Sequence, residues 1–121
     1  MRNEVQFYVV AGEGKIILES ERELVEHCFG SSYQTGMGHF DGDDEPVFII
    51  FDQYGDALGD VLEIGRTLNQ NSVLEVDPAR RSCIIECVSG KRTHIGTWKT
   101  IKDPDTDSNY TLSRGVYYQA S

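Results

Sequence analysis

The chain has 121 residues, a net charge of −9 and a pI near 4.6. With 39% hydrophobic and 26% charged residues it is globular rather than disordered, and its length makes it one domain, residues 1–121. No apolar run approaches the ~20 residues that span a bilayer, and so acidic a chain repels nucleic acid at long range.

Residues 4–10, Glu-Val-Gln-Phe-Tyr-Val-Val, are rich in β-branched and aromatic types and read as a strand. Ala-Gly-Glu-Gly at 11–14 is a turn, and residues 15–19 read as a short second strand. Ser20 stands three residues before Glu23, the spacing of a capping box. Leu24, Val25, Cys28 and Phe29 then follow at helical spacing, and Gly30 fits a left-handed stop. These signals predict one helix over residues 21–29.

Residues 30–45 hold four glycines and show no apolar period, so they read as a long loop, functional or mobile. Pro46 opens an unbroken run, Val-Phe-Ile-Ile-Phe, expected to be buried on both faces. Gln53-Tyr54-Gly55-Asp56 reads as a hairpin turn and residues 57–64 as the return strand. Further short strands are expected over 72–76, 82–88, 92–98, 110–112 and 115–118. Turns at 77–80 and 89–90 and a loop at 103–109 separate them. The sum is an α+β domain: a mostly antiparallel sheet of seven or eight short strands with one packed helix.

The cysteines number three, so they cannot all pair within the chain. On a strand Cys83 and Cys87 would lie ~13 Å apart, too far for a disulfide or a shared zinc. No metal and no cofactor are expected. Asp103, Asp105 and Asp107 match the start of an EF-hand spacing, but Ser108 and Arg114 stand where glycine and glutamate are required. The histidines, His27, His39 and His94, sit in no catalytic signature. His39 lies beside the acids of the long loop, which would raise its pKa.

One feature points outward. Residues 23–65 contain ten acidic residues and no Lys or Arg, whereas residues 66–121 carry eight basic against six acidic. Such a block creates a directional negative field that steers basic partners. The candidate partner-binding residues are Phe40, Asp41, Asp43, Asp44, Glu45, Tyr54, Asp56, Asp60 and Glu63, with Phe40 and Tyr54 as apolar anchors among the acids. The basic residues Arg80, Arg81, Lys91, Arg92, Lys99 and Lys102 cluster at turns, where they can pair with acids of the same fold or of a second copy.

A small, acidic, mostly β domain without a catalytic signature resembles the immunity proteins of bacterial toxin systems and phage-encoded anti-defence inhibitors. The resemblance lies in size, charge and chemistry and implies a cytoplasmic inhibitor of a basic, nucleic-acid-handling enzyme. It would be a monomer or weak dimer, with no direct nucleic-acid or membrane binding. The alternatives are a small enzyme or ligand-binding domain using His39 with nearby carboxylates, and a structural subunit of a larger assembly.

Overall fold

The computed structural model describes residues 5–105 and 108–121. Ten elements follow in chain order: β1 (Gln6–Ala11), α1 (Glu19–Phe29), β2 (Tyr33–Phe40), β3 (Asp43–Asp52), α2 (Leu58–Thr67), β4 (Ser72–Val76), β5 (Arg81–Glu86), β6 (Arg92–Ile101), β7 (Tyr110–Ser113) and β8 (Val116–Ala120). The strands close into a barrel in the order β1-β3-β2-β7-β8-β6-β5-β4, and every neighbouring pair is antiparallel. The expected α+β sheet with one packed helix is therefore corrected to a closed eight-stranded β-barrel with two short helices.

Three local differences produce that change. Residues 33–40, expected in a loop, form β2 and pair with both β3 and β7. The hairpin turns at Asp41 and Gly42, with φ of 52° and 86°; two left-handed residues in succession match the right-handed twist of the flanking strands. Residues 57–64, expected as a return strand after a hairpin turn at 53–56, instead lead into and form most of α2 (Leu58–Thr67). Asp52 explains the start of that helix, because its carboxylate accepts the amides of Gly55, Asp56 and Ala57 at 2.8, 3.2 and 3.2 Å. The short strand expected at 15–19 does not form, and α1 begins at Glu19 rather than residue 21. The acid that reaches back at its N-terminus is Glu21, whose Oε1 accepts the Leu18 amide at 3.0 Å and Oε2 that of Glu13 at 3.1 Å.

Alternation along the strands divides the apolar residues between two compartments. Phe7, Val9, Val47, Ile49, Leu74 and Val76 face the barrel interior with Phe40, Phe51, Ile84 and Trp98. Tyr8, Val10, Phe48 and Ile50 face outward and pack under Val25 of α1 and Val61 and Ile64 of α2. The run 47–51 is thus buried on both faces as expected, by helices on one side and the barrel interior on the other. Each fully buried Phe48 or Ile50 contributes roughly 1.5–3 kcal/mol.

β2 closes the wall because its inward positions are small. A Cβ on Gly36 would stand 2.6 Å from the Leu112 carbonyl oxygen on β7, and one on Gly38 would strike the Phe40 ring at 2.1 Å. Glycine lets the neighbouring strand approach and the wall curve. No helix among the described residues is long and apolar enough to cross a membrane.

Candidate functional site

The acids of residues 41–63 do not form one continuous patch. Asp41 is at the β2–β3 turn, where its amide donates to Asn109 Oδ1 at 2.9 Å. Asp43 and Asp44 are exposed at the start of β3, and Glu45 is half-buried beside them. Asp56, Asp60 and Glu63 are exposed at the other end of β3, just before and along α2, where Tyr54 is 86% exposed. At ~3.3 Å per residue, the length of β3 sets Asp43 and Asp52 about 30 Å apart. Phe40 is not a surface anchor like Tyr54; it is half-buried and packs with the interior cluster.

His39 is bound into the hairpin. It is buried, its Nδ1 lies 2.7 Å from Asp44 Oδ1, and its ring stacks on Tyr110 at 4.7 Å. The basic turns pair within the fold as the sequence suggests: Arg81 Nε donates to Asp77 at 2.8 Å, and Arg92 bonds the buried Glu75. Tyr8 also donates to Glu75 at 3.2 Å, and burial, reinforced by that carboxylate, pushes the Tyr8 hydroxyl pKa up. All three cysteines are free thiols. Burial raises the Cys28 pKa, and nearby Asp60 and Glu63 raise it further. Of the EF-hand-like aspartates, Asp103 and Asp105 are exposed and Asp107 lies outside the described residues. Among the described residues no group of three or more His, Cys, Asp or Glu is placed to hold a metal ion.

A cavity of about 720 Å³ lies at one mouth of the barrel. Its walls are the aromatic rings of Phe7, Phe51, Trp98 and Tyr118 with Ile49. Phe7 meets Trp98 edge-on at 5.6 Å, and Trp98 stacks on Tyr118 at 5.5 Å with planes 10° apart. Gln34 donates to Ser113 at 3.0 Å, and both line the cavity, with Ser31, Ser32 and Gln53. Among the described residues, the charged ones in the lining are Arg80 and Lys99. A smaller cavity of about 250 Å³ contains Phe40, Leu74, Ile84 and Thr111 and shares Trp98 and Tyr118 with the first, so these two rings stand between them.

The topology brings these residues together. Trp98 and Thr100, two residues apart on β6, share one face, and the Trp98 amide donates to the Arg80 carbonyl at 2.8 Å, tying the β4–β5 turn to the strand. Tyr118 is set opposite both Thr100 and Thr111. Sequence reasoning recorded Arg80 and Lys99 as turn cations and Trp98 as a strand end, but missed their union with Phe7, Phe51 and Tyr118. The available signal was the period-two placement of Trp98 and Tyr118, legible only with the barrel's register.

No protein-family model matches the chain, and no curated protein matches it.

Proposed function

We propose that the chain is a binding protein that takes a small, largely apolar ligand into the mouth of its barrel. One observation carries this reading: a cavity of about 720 Å³ with an aromatic wall and a few polar groups. Ligand pockets commonly run ~300–1,000 Å³ and combine apolar lining with sparse orienting polar groups. The described lining is dominated by aromatic and uncharged polar side chains, which suits holding an apolar molecule. The test uses phenylnaphthylamine, an uncharged probe whose emission rises in apolar surroundings. Trp98 is the single tryptophan and lines both this cavity and the smaller one beside it, so its quenching reports binding at this end of the barrel interior. Saturable one-to-one binding with quenching of Trp98 is expected. Linear, non-saturating probe uptake by the folded protein overturns the reading.

A second reading is favoured by the exposure of Tyr54, an 86% exposed ring neighboured by exposed Asp56 and Asp60. An exposed aromatic with acidic neighbours suits a surface that a basic protein approaches by electrostatic steering. The chain would then be a cytoplasmic inhibitor of a basic enzyme, as an immunity protein or an anti-defence inhibitor is. Co-expression with the product of the adjacent gene should yield a complex whose association slows when Asp43, Asp44, Asp56 and Asp60 become Asn. An unchanged on-rate and salt slope removes the acids from the interface.

A further inference from the structure

We infer that the ligand of the barrel mouth is an uncharged aromatic molecule with a hydroxyl on one edge, its ring against Phe7 and Trp98 and its hydroxyl on the Gln34–Ser113 pair. The inference rests on the cavity's being a ligand site and adds the ligand's chemical class and the two residues that select it.

Strand register sets the two halves of that recognition on facing sides of the cavity. In the order β1-β3-β2-β7-β8-β6-β5-β4, the seam between β2 and β7 lies opposite the seam between β5 and β4. Phe7 on β1 and Trp98 on β6 flank the β5–β4 side and meet edge-on at 5.6 Å, so their rings close over it. With Phe51 they form an apolar face on which a flat ring gains from offset or edge packing beyond the area it buries. The opposite seam is polar. Gln34 is registered with the interior residue Ile49. Gly38, on the same face of β2, is registered with Thr111, and Ser113 follows two residues later on β7. Alternation therefore turns Gln34 and Ser113 inward, and both line the cavity.

Gly36 brings the polar pair together. It lies between Gln34 and Gly38 on the inward face of β2, and a Cβ there would stand 2.6 Å from the Leu112 carbonyl oxygen and 3.5 Å from Ser113 Cβ. With no side chain in the way, β7 closes on β2 and Gln34 Nε2 donates to Ser113 Oγ at 3.0 Å. That bond uses one amide hydrogen of Gln34 and one lone pair of Ser113. It leaves the Gln34 carbonyl oxygen as an acceptor and the Ser113 O–H as a donor, side by side at the cavity wall. A hydroxyl donates and accepts at a single oxygen and so answers both.

A charge on that edge of the ligand would find no counter-charge. Of the charged residues in the lining, Lys99 is turned by alternation along β6 to the face opposite Trp98 and Thr100. Arg80 belongs to the β4–β5 turn, on the opposite side from the β2–β7 seam. An ionic group at Gln34 and Ser113 would meet neutral partners, and burying an unpaired charge costs far more than burying a hydroxyl that is hydrogen-bonded.

The test measures displacement of phenylnaphthylamine from the full chain by naphthol, by its parent naphthalene and by its anionic analogue naphthoate, at neutral pH, where naphthol is uncharged. From the net worth of a neutral hydrogen bond, naphthol should bind about three- to tenfold more tightly than naphthalene, and naphthoate should bind more weakly than naphthol. The double variant Gln34→Leu with Ser113→Ala removes both partners and so orphans neither. It should bring naphthol down to naphthalene's affinity and leave naphthalene unchanged. Ser113→Ala alone should remove part of the gain. If phenylnaphthylamine saturates but naphthol gains nothing over naphthalene, or its gain survives the double variant, or naphthoate matches it, the hydroxyl inference falls and the cavity reading stands. If phenylnaphthylamine does not saturate the wild-type chain, both fall.

Discussion

A Cβ built on Gly65 of α2 would stand 2.6 Å from the Sγ of Cys87 and 3.1 Å from Val73 Cγ1. The helix therefore rests on the sheet through a position with no side chain. In an exposed helix Gly→Ala stabilises by about 1 kcal/mol, because alanine loses less backbone freedom on folding. Here the close approach outweighs that gain. Gly65→Ala should lower stability by roughly 1–3 kcal/mol through overpacking. Cys87→Ala removes the closer atom, so the double variant should be more stable than the two single losses predict. Urea unfolding of all four proteins checks this, and strict additivity would show that the contact is not the cause.

Asp52 turns the end of β3 into the start of α2. Its carboxylate accepts the amides of Gly55 and Asp56, in the turn ahead of the helix, and of Ala57, the N-cap, whose amide a helix start leaves without an intrahelical partner. Ala57, at the helix's N-terminal cap, offers no side-chain acceptor of its own. Asp52→Ala should cost roughly 1–3 kcal/mol, and Asp52→Asn less, since one amide oxygen can still accept. Equal losses for the two substitutions, read from urea midpoints, would point to charge rather than to the acceptor geometry.

Most strands were legible because β-branched and aromatic residues cluster between turn residues, as at Gln6–Ala11. The stop of α1 at Gly30, with φ of 60°, was legible for the same local reason. The barrel was not, because closure depends on β2, whose glycines erase the strand signal while enabling the curvature. The Asp41-Gly42 pair was a readable hairpin turn that the surrounding glycines and acids concealed. α2 was misread because Leu58, Leu62 and Ile64 satisfy an alternating pattern, while Leu58, Val61, Gly65 and Leu68 satisfy a helical one. Burial of Val61, Ile64, Gly65 and Leu68 under the helix shows which period prevailed. The acidic block was visible, but its division between the two ends of β3 was not, since separation in space follows from register.

The Asp77–Arg81 turn makes stability depend on pH in one direction. Burial pushes the Asp77 carboxyl up, but hydrogen bonds from the Arg81 amide and side chain, at 2.9 and 2.8 Å, outweigh it and leave the net shift downward. A carboxylate depressed in the folded state adds stability that is present above its unfolded pKa of about 3.9, and that is lost as pH falls through the lower folded value. Arg81 is largely exposed, so screening holds the ion pair to under about 1 kcal/mol. Asp77→Asn should therefore be slightly less stable than wild type at pH 7, with the difference closing as acid is added. A difference that grows on acidification contradicts the assignment.

Ser82 gives a test of the barrel's inner wall that does not depend on any ligand. Its hydroxyl is fully buried between Val76 and Gly96 and lacks a partner among the described residues. Leaving such a group unsatisfied costs about 1–3 kcal/mol, whereas its replacement by a smaller apolar group removes that cost and opens only a small void. Ser82→Ala should therefore be neutral or more stable by up to about 1 kcal/mol in the ligand-free protein. Ser82→Val, which adds volume beside Gly96, should instead destabilise, because a Cβ at Gly96 would already lie 2.6–2.8 Å from the Ser121 backbone and that corner has no slack. Thermal melts of the two variants decide it. A clear loss of stability in Ser82→Ala would mean that the hydroxyl is hydrogen-bonded in solution.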